Sequence, residues 1–557
     1  MKKRSPRSER PGQGERGWKP PRFGRDFRVA LAFPGPYRAG MSSLGFQSVL
    51  YGFASLEGVL AERVFLDEEG EGLHLLDAAV DPGRVDLLAF SCSSEYDYPK
   101  VLTILGLSGI PLRSRDRRPE HPLVLAGGIA PSLNPEPLAE FMDFIALGEG
   151  EELLGPVIES LRQGTGEGRS REGLLEELAP IEGIYVPSLY RPAYEEEGRL
   201  IGFEARAPAP QQVSRRWVRD LAAWPVMSRM VAPGSEFEDL CLLEVNRGCG
   251  RGCRFCAAGH LMKPLRHRPL EGLLSSVEKG APLAKRFGLL GSAVGDHPDI
   301  VELAGRIVGE GRRFSLSSLR IDRLSPELLE VLRKGGCRTV TLAPETGSER
   351  LRRAVGKRIS DGQILEAVGR AAKAGIPNLK LYFMIGLPTE DEADRAAIPD
   401  LLRRINGQVV AAGRSRGRLG TVSVSLSCFV PKAWTPFQWH PFEEVRVLKR
   451  ALSGLTRQIG KIPNTTVTHD LPKRAYVQAL LSRGDRRTAD ILEKVHLLGG
   501  NWSRALKESP LDPDFFVYRQ RDRDEIFPWD FIETGLNRER LWKEYRRALA
   551  PPEGAPS

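Results

Sequence analysis

The sequence predicts an α/β protein: two parallel-sheet units in series, followed by a mixed, mainly helical extension. Three observations carry this. Short apolar runs alternate with amphipathic stretches over residues 27–155. The same alternation returns over 236–460, six units long. Residues out of place in a core, among them a loop with three closely spaced cysteines, fall at the carboxyl ends of the second set of runs. A strand that continues through a helix must return parallel to itself, so alternation of this kind gives parallel sheets covered by helices.

Bulk properties set the class. The 557 residues correspond to about three domains at roughly 100–200 residues each. Hydrophobic residues make up 41% and charged residues 27%, which suits proper cores and excludes a wholly disordered chain. No apolar run approaches the ~18 residues of a membrane span. The basic N-terminus lacks the apolar centre of a secretory signal. Seven cysteines, odd and sparse, argue against a disulfide framework and place the chain in a reducing cytoplasm. Residues 1–26 hold nine Lys/Arg and three Asp/Glu among many Pro and Gly. This predicts a disordered basic tail, either solubilising or grazing RNA and acidic partners.

In 27–155 the strands are read as "RVALAFP" (28–34), "ERVFLD" (62–67), "DLLAFSCS" (86–93), "LVLAGG" (123–128) and "DFIALGEGEE" (143–152). Each is short and apolar and ends in Gly, Pro, Ser or a polar loop. Between the first two, "GMSSLGFQSVLYGFASLEG" is an amphipathic helix with Ser42 or Ser43 as its cap. Ligands of such sheets lie beyond the carboxyl ends of the strands. The loops there contain Tyr37, Ser91, Ser93, Gly127, Gly128 and Gly148. Residues 156–235 are a connector with a hairpin turning near Glu197-Gly198.

In 236–460 the runs "CLLEV", "FGLLGS", "RFSLSSL", "TVTLAPE", "LKLYFMIGL" and "VSVSLSCFV" alternate with helices, one of them capped by Ser325 and Gly335. Six such units predict a partial (β/α)6 barrel, whose site belongs at the carboxyl ends of its strands. The first of those ends reads "NRGCGRGCRFCAAGH", with Cys249, Cys253 and Cys256. One loop thus wraps three thiolates round one metal centre. Gly248, Gly250 and Gly252 permit tight turns, and Arg247, Arg251 and Arg254 are expected to favour thiolates. A zinc ion with His260 as fourth ligand is one reading. An iron–sulfur cluster with one exchangeable ligand is the other. The remaining cysteines, Cys92, Cys241, Cys337 and Cys428, lie where cysteine is usually a small core residue.

The run Cys249-x3-Cys253-x-Phe255-Cys256 resembles the radical SAM superfamily. That resemblance implies a [4Fe–4S] cluster on the three thiolates, completed by S-adenosylmethionine (SAM), and a reductant such as flavodoxin or ferredoxin. It further implies SAM contacts at Phe255, at Gly295 and Asp296 in "GSAVGDHP", and at Ser315, Ser317 and Arg320 on the third strand. Glu345 and Arg350 in "APETGSER", and Ile385, Gly386 and Leu387 in "YFMIGLPTE", complete the set. The first domain, through "GG…P…P" and "DF…GEGE", resembles the cobalamin-binding-like domain that precedes many such enzymes. The loop after its first strand, "PGPYRAGMSSLG", lacks the histidine of the Asp-x-His-x-x-Gly pattern. Cobalamin without a His ligand and a cofactor-free Rossmann-like domain both stay open. The segment 461–557 resembles the C-terminal extension of a narrower subfamily, with Asp485, Arg486 and Trp529 as candidate substrate contacts. The implied activity is reductive cleavage of SAM to a 5′-deoxyadenosyl radical. A cobalamin-dependent methyl transfer, a cobalamin-independent RNA modification such as methylthiolation, and a non-catalytic Fe–S or zinc scaffold are the alternatives.

Overall fold

The computed structural model describes residues 11–21, 27–417 and 419–550. Strand β1 (Arg16–Gly17) precedes the first sheet. That sheet contains β2 (Phe27–Pro36), β3 (Val59–Leu66), β4 (Leu73–Leu75), β5 (Leu87–Ser91), β6 (Leu123–Gly127), β7 (Phe144–Ala146) and β8 (Ile184–Tyr185). Its order is β4-β3-β2-β5-β6-β7-β8. The inner pairings are parallel, and β4 and β8 close the edges antiparallel. Every residue of β3 is buried, as a parallel strand covered on both faces requires. Ser43 caps the helix Leu44–Ser55 by accepting from the Phe46 amide.

The tail departs from expectation within its described part. Glu15 forms an ion pair with Arg63 at 2.6 Å, both side chains at most 3% exposed. Trp18 packs edge-on against Tyr51, and β1 pairs with β12 (Met230–Val231). Residues 11–21 are therefore part of the fold, anchored by one carboxylate and one indole that a net-charge reading does not weigh. The rest of the predicted disordered tail lies outside the described residues.

The connector forms the hairpin β9 (Tyr190–Tyr194) and β10 (Leu200–Ala205), then β11 (Val213–Ser214). The barrel follows in two sheets. The first joins β13 (Leu240–Arg247), β15 (Arg286–Gly291) and β16 (Arg313–Leu316) in parallel, with β14 (Arg266–His267) antiparallel on the edge of β13. The second runs β17 (Thr339–Glu345), β18 (Asn378–Ile385), β19 (Val422–Cys428) and β20 (Thr465–His469), all parallel. A parallel bridge, Leu319 to Leu342, connects them. The barrel thus has one parallel strand more than the six expected. Strand β20 reads "TTVTH" and is mostly exposed, so it has no apolar run to announce it, and it falls beyond the boundary expected at 460.

The extension folds back over both domains. Its strand β21 (Ile532–Glu533) pairs in parallel with β11, and its aromatic residues bury the loop after β19. Trp439 packs against Phe527 and Tyr545, and His440 Nδ1 lies 3.1 Å from the Tyr545 hydroxyl. Burial, with Arg483 beside it, pulls the His440 pKa down to about 4. The folded value lies below the unfolded one, so the fold favours the neutral ring. This contribution is complete above pH ~6.5 and is lost as pH falls toward 4. Urea unfolding at pH 7.5 and pH 5 is therefore expected to show an acid loss of stability of about 2 kcal/mol that His440→Gln reduces.

Candidate cluster site

The cysteine loop is closed at its base by the antiparallel pair β13–β14, in which Arg247 faces Arg266. Two guanidinia side by side repel unless an anion lies between them. Glu149 of the first domain supplies it. Its carboxylate binds Arg266 at 2.6 Å and Arg247 at 3.1 Å and accepts from the Val218 amide at 2.8 Å. Glu151 and Glu244 also hold Arg247. Burial would raise the Glu149 pKa, but Arg266 and Arg247 hold it below the usual carboxylate range. The "GEGEE" run thus clamps the base of the cysteine loop.

Of Gly248, Gly250 and Gly252, only Gly248 is conformationally required. It has φ +82°, and a Cβ there would lie 2.1 Å from the Met262 carbonyl oxygen. Gly252 faces open space, and Gly250 has only ordinary contact. The far side of the loop is fixed to the turn after β17. The Arg254 amide donates to the Val355 carbonyl at 2.9 Å, and its guanidinium donates to the Arg353 and Ala354 carbonyls and to Glu544. The expected role of the arginines is therefore corrected: Arg247, Arg251 and Arg254 are neutralised by Glu149/Glu151/Glu244, Asp322 and Glu544. Burial pushes the Cys253 thiol up to about 11 and also raises Cys256. Without a metal these are thiols, and a metal must displace their protons.

Cys249, Cys253 and Cys256 share one cavity of about 770 Å³ with Phe255, Arg320 and Glu345. Glu345 ends β17 after a register shift and sits at φ +70°, a left-handed conformation that costs a non-glycine residue about 1 kcal/mol or more. Its carboxylate meets Lys357 Nζ at 2.7 Å. Lys357 is a site residue the sequence reading missed; the signal was Gly356, whose φ is +76° and whose Cβ would lie 2.9 Å from the Gly252 carbonyl oxygen. The extension also reaches this cavity, through Asn537, Arg540 and Glu544.

Other expected contacts lie elsewhere. Arg350 is held by Asp394 and the Thr389 carbonyl. Asp296 stands behind Arg320, paired with it and with Arg323 at 3.2 Å. Gly295 packs toward Leu319, and Ser317 donates to the Gly291 carbonyl at 3.3 Å. Ser315 pairs in register with Gly288 inside the sheet. Ile385 and Leu387 are buried, and Gly386, at φ +80°, abuts Leu448 and Glu443. None of these eight lines the cysteine cavity. Asp485, Arg486 and Trp529 are corrected as well. Asp485 pairs with Arg487, Arg486 with the buried Glu136 and with Tyr185, and the Trp529 indole donates to Gln438. Arg486 and Trp529 fasten the extension to its neighbours, and Asp485 fixes Arg487 within it.

A second cavity, of about 1010 Å³, lies between the first domain and the barrel. Gly128 and Gly148 line it, but backbone explains both. A Cβ would lie 2.2 Å from the Cys92 carbonyl oxygen at the one and 1.9 Å from that of Arg216 at the other. A Cβ at Gly127 would meet only Ala146, and Ser91 ends β5. Ser93 gives its amide to Asp97. Tyr37 donates its hydroxyl to Glu15 at 2.8 Å. Among the described residues no histidine lines this cavity.

The profile of the radical SAM superfamily matches residues 243–402, the segment that holds the cysteine loop and its cavity. The chain is a radical SAM protein. A second profile, of the N-terminal region of radical SAM proteins, matches residues 45–187. This radical SAM chain is 28% identical over 477 residues to an uncharacterized protein of Methanocaldococcus jannaschii, covering 84% of this chain and 90% of that one. An uncharacterized methyltransferase of Pyrococcus horikoshii is 24% identical over 52% of this chain and 59% of its own length. The ribosomal protein uS12 methylthiotransferase RimO of Moorella thermoacetica is 26% identical over 37% and 50%. Among solved structures, the radical SAM methyltransferase TsrM from Kitasatospora setae, with cobalamin and a [4Fe–4S] cluster bound, covers 94% of this chain and 99% of its own at 14% identity and a TM-score of 0.45.

The radical SAM enzyme's cofactors are a [4Fe–4S] cluster and SAM, and the residues present fit them. Three thiols converge on one cavity that also holds a carboxylate and cations. The zinc reading fits less well. His260 turns its Nε2 to the Cys253 carbonyl at 3.1 Å.

Two outcomes test the loop architecture. Gly248→Ala is expected to lose most of its iron and its absorbance near 400 nm, whereas Gly252→Ala keeps both, because only the first forces backbone against backbone. Glu149→Gln removes the anion between two buried arginines and is expected to lower stability by about 3–5 kcal/mol, read by denaturant unfolding.

Proposed function

We propose that this radical SAM enzyme transfers a methyl group to a substrate seated between its two cavities: one SAM would be cleaved to the radical that takes the substrate's hydrogen, a second would give its methyl and leave as S-adenosylhomocysteine, and the electron carrier would supply the electrons. Cys249, Cys253 and Cys256 would hold the cluster. Glu345 with Lys357, and Arg320, would meet the ammonium and carboxylate of SAM. One observation carries the placement: Ser292, just past β15, lines both the cysteine cavity and the interdomain cavity. When bound, the cluster supplies the electron that splits SAM into methionine and a 5′-deoxyadenosyl radical. The chain's own part is orientation and exclusion of water. Leu541 and the helix Arg538–Leu549 cover the mouth, and the Glu345–Lys357 pair presents both charges to an amino acid's two ends.

Methyl transfer is favoured over methylthiolation by atom balance. Methylthiolation consumes a sulfur atom as well as a methyl group, and the first domain offers a single cysteine, Cys92, which is fully buried. Names of relatives agree in part, one being a methyltransferase and others methylthiotransferases. RNA as substrate is a second reading, supported by Arg540, Trp542, Lys543 and Arg546 in a groove beside the mouth, where Arg523 is paired with Glu539. A small flavin or iron–sulfur electron carrier is the proposed reductant.

Anaerobic reconstitution with iron and sulfide, followed by dithionite and SAM, tests the first step. 5′-Deoxyadenosine is expected from the wild type, with a fall of about a hundredfold or more in Cys253→Ala, which removes one cluster thiolate. Equal amounts from both proteins would overturn the assignment.

A further inference from the structure

The charges that line the interdomain cavity do not balance. Each of its carboxylates is already neutralised: Glu149 by Arg266 and Arg247, Glu151 by Arg247, Glu152 by Arg216, and Glu244 by Arg247 and Arg268. Two of its arginines are not. Arg215 is only 8% exposed, lines the cavity, and forms no ion pair among the described residues. Its Nη1 donates to the Leu261 carbonyl at 3.1 Å, and its buried Nε has no partner. Arg229 lies with its guanidinium 4.3 Å from the Tyr51 ring centroid, also lines the cavity, and likewise forms no ion pair among the described residues. Arg229 is half-buried, whereas Arg215 is held out of water without an ion-pair partner, which is costly because buried charges are ordinarily paired. Burial holds the Arg215 pKa below its ordinary value although the Glu149 charge pulls the other way.

The rest of the wall is mostly apolar, with Val49, Leu154, Trp224, Met227 and Leu290 among its residues. Leu261, which takes the Arg215 hydrogen bond, follows the cysteine loop directly. Arg215 therefore stands between the cavity and the loop that ends in its wall at Met262.

We propose that Arg215 and Arg229 form an anion subsite, and that the cavity takes an amphiphilic small molecule with an apolar body and one carboxylate or phosphate group. The inference rests on the reading that this cavity seats the molecule acted upon. Two sources share this chemistry: the substrate itself, and the phosphate of a cobalamin nucleotide tail.

The test uses the full chain and two probes of similar shape, anilinonaphthalene sulfonate and the uncharged N-phenyl-naphthylamine, followed by fluorescence and calorimetry. The wild type is expected to bind one equivalent of each. Arg215→Met and Arg229→Met are each expected to weaken the sulfonate by about tenfold or more and to leave the uncharged probe unchanged. The contrast between the probes separates a lost anion contact from a misfolded protein, and Arg215→Lys is expected to restore part of the sulfonate affinity. Sulfonate binding that is absent in the wild type, or equal in the wild type and both Met variants, overturns the proposal. Calorimetric competition by cyanocobalamin but not by phosphate-free cobinamide upholds the subsite with the cofactor tail as its anion; competition by neither upholds it with the substrate as source. Competition by both alike speaks against a phosphate contact and overturns that arm. Wild-type 5′-deoxyadenosine formation is measured separately, so failure of the cluster assignment and failure of the anion subsite are read from different experiments.

Discussion

The structure depends on one carboxylate. Glu149 belongs to the first domain, yet it lies between Arg247 and Arg266, the two residues that close the base of the cysteine loop. Without it Arg266 has no ion-pair partner among the described residues, while Arg247 keeps Glu151 and Glu244, and the unpaired guanidinium lies in surroundings too dry for water to screen it. With it, the strand that leads into the loop and the strand that leads out are held at a fixed separation. Everything the three thiols do afterwards presupposes that spacing.

The remaining supports of the loop come from distant parts of the chain. Arg254 joins it to the turn after β17 and to Glu544 of the last helix. The Glu345–Lys357 pair holds the opposite wall of the cavity. A cluster site built this way has its ligands on a loop and draws support from the residues around them, the arrangement expected where neighbouring groups orient metal ligands.

Much of this was legible in the sequence, and the limits have physical causes. Five of the seven strands of the first sheet and six of the barrel were readable because buried parallel strands must be continuous apolar runs. Strand β20 was not, because an exposed edge strand needs no such run. The cysteines were readable from spacing alone. Their surroundings were not, since a charge says nothing of its partner. Arg247, Arg251 and Arg254 flank the thiols in sequence but answer to carboxylates up to 290 residues away. Arg350 and Asp485 were misplaced for the same reason, each satisfied by a neighbour that periodicity does not reveal. Glu15 shows the converse: one buried ion pair orders a stretch whose composition reads as disordered.

The clamp also bears on how such proteins can diverge. A domain that merely binds a ligand can be exchanged for a related one if the linkers match. Here the first domain contributes the anion that the barrel's own loop lacks, so it is a structural part of the metal site and not an attachment to it. A graft from a relative would succeed only where it delivered a carboxylate to the same point between the same two arginines, and drift at any one of the three positions constrains the other two.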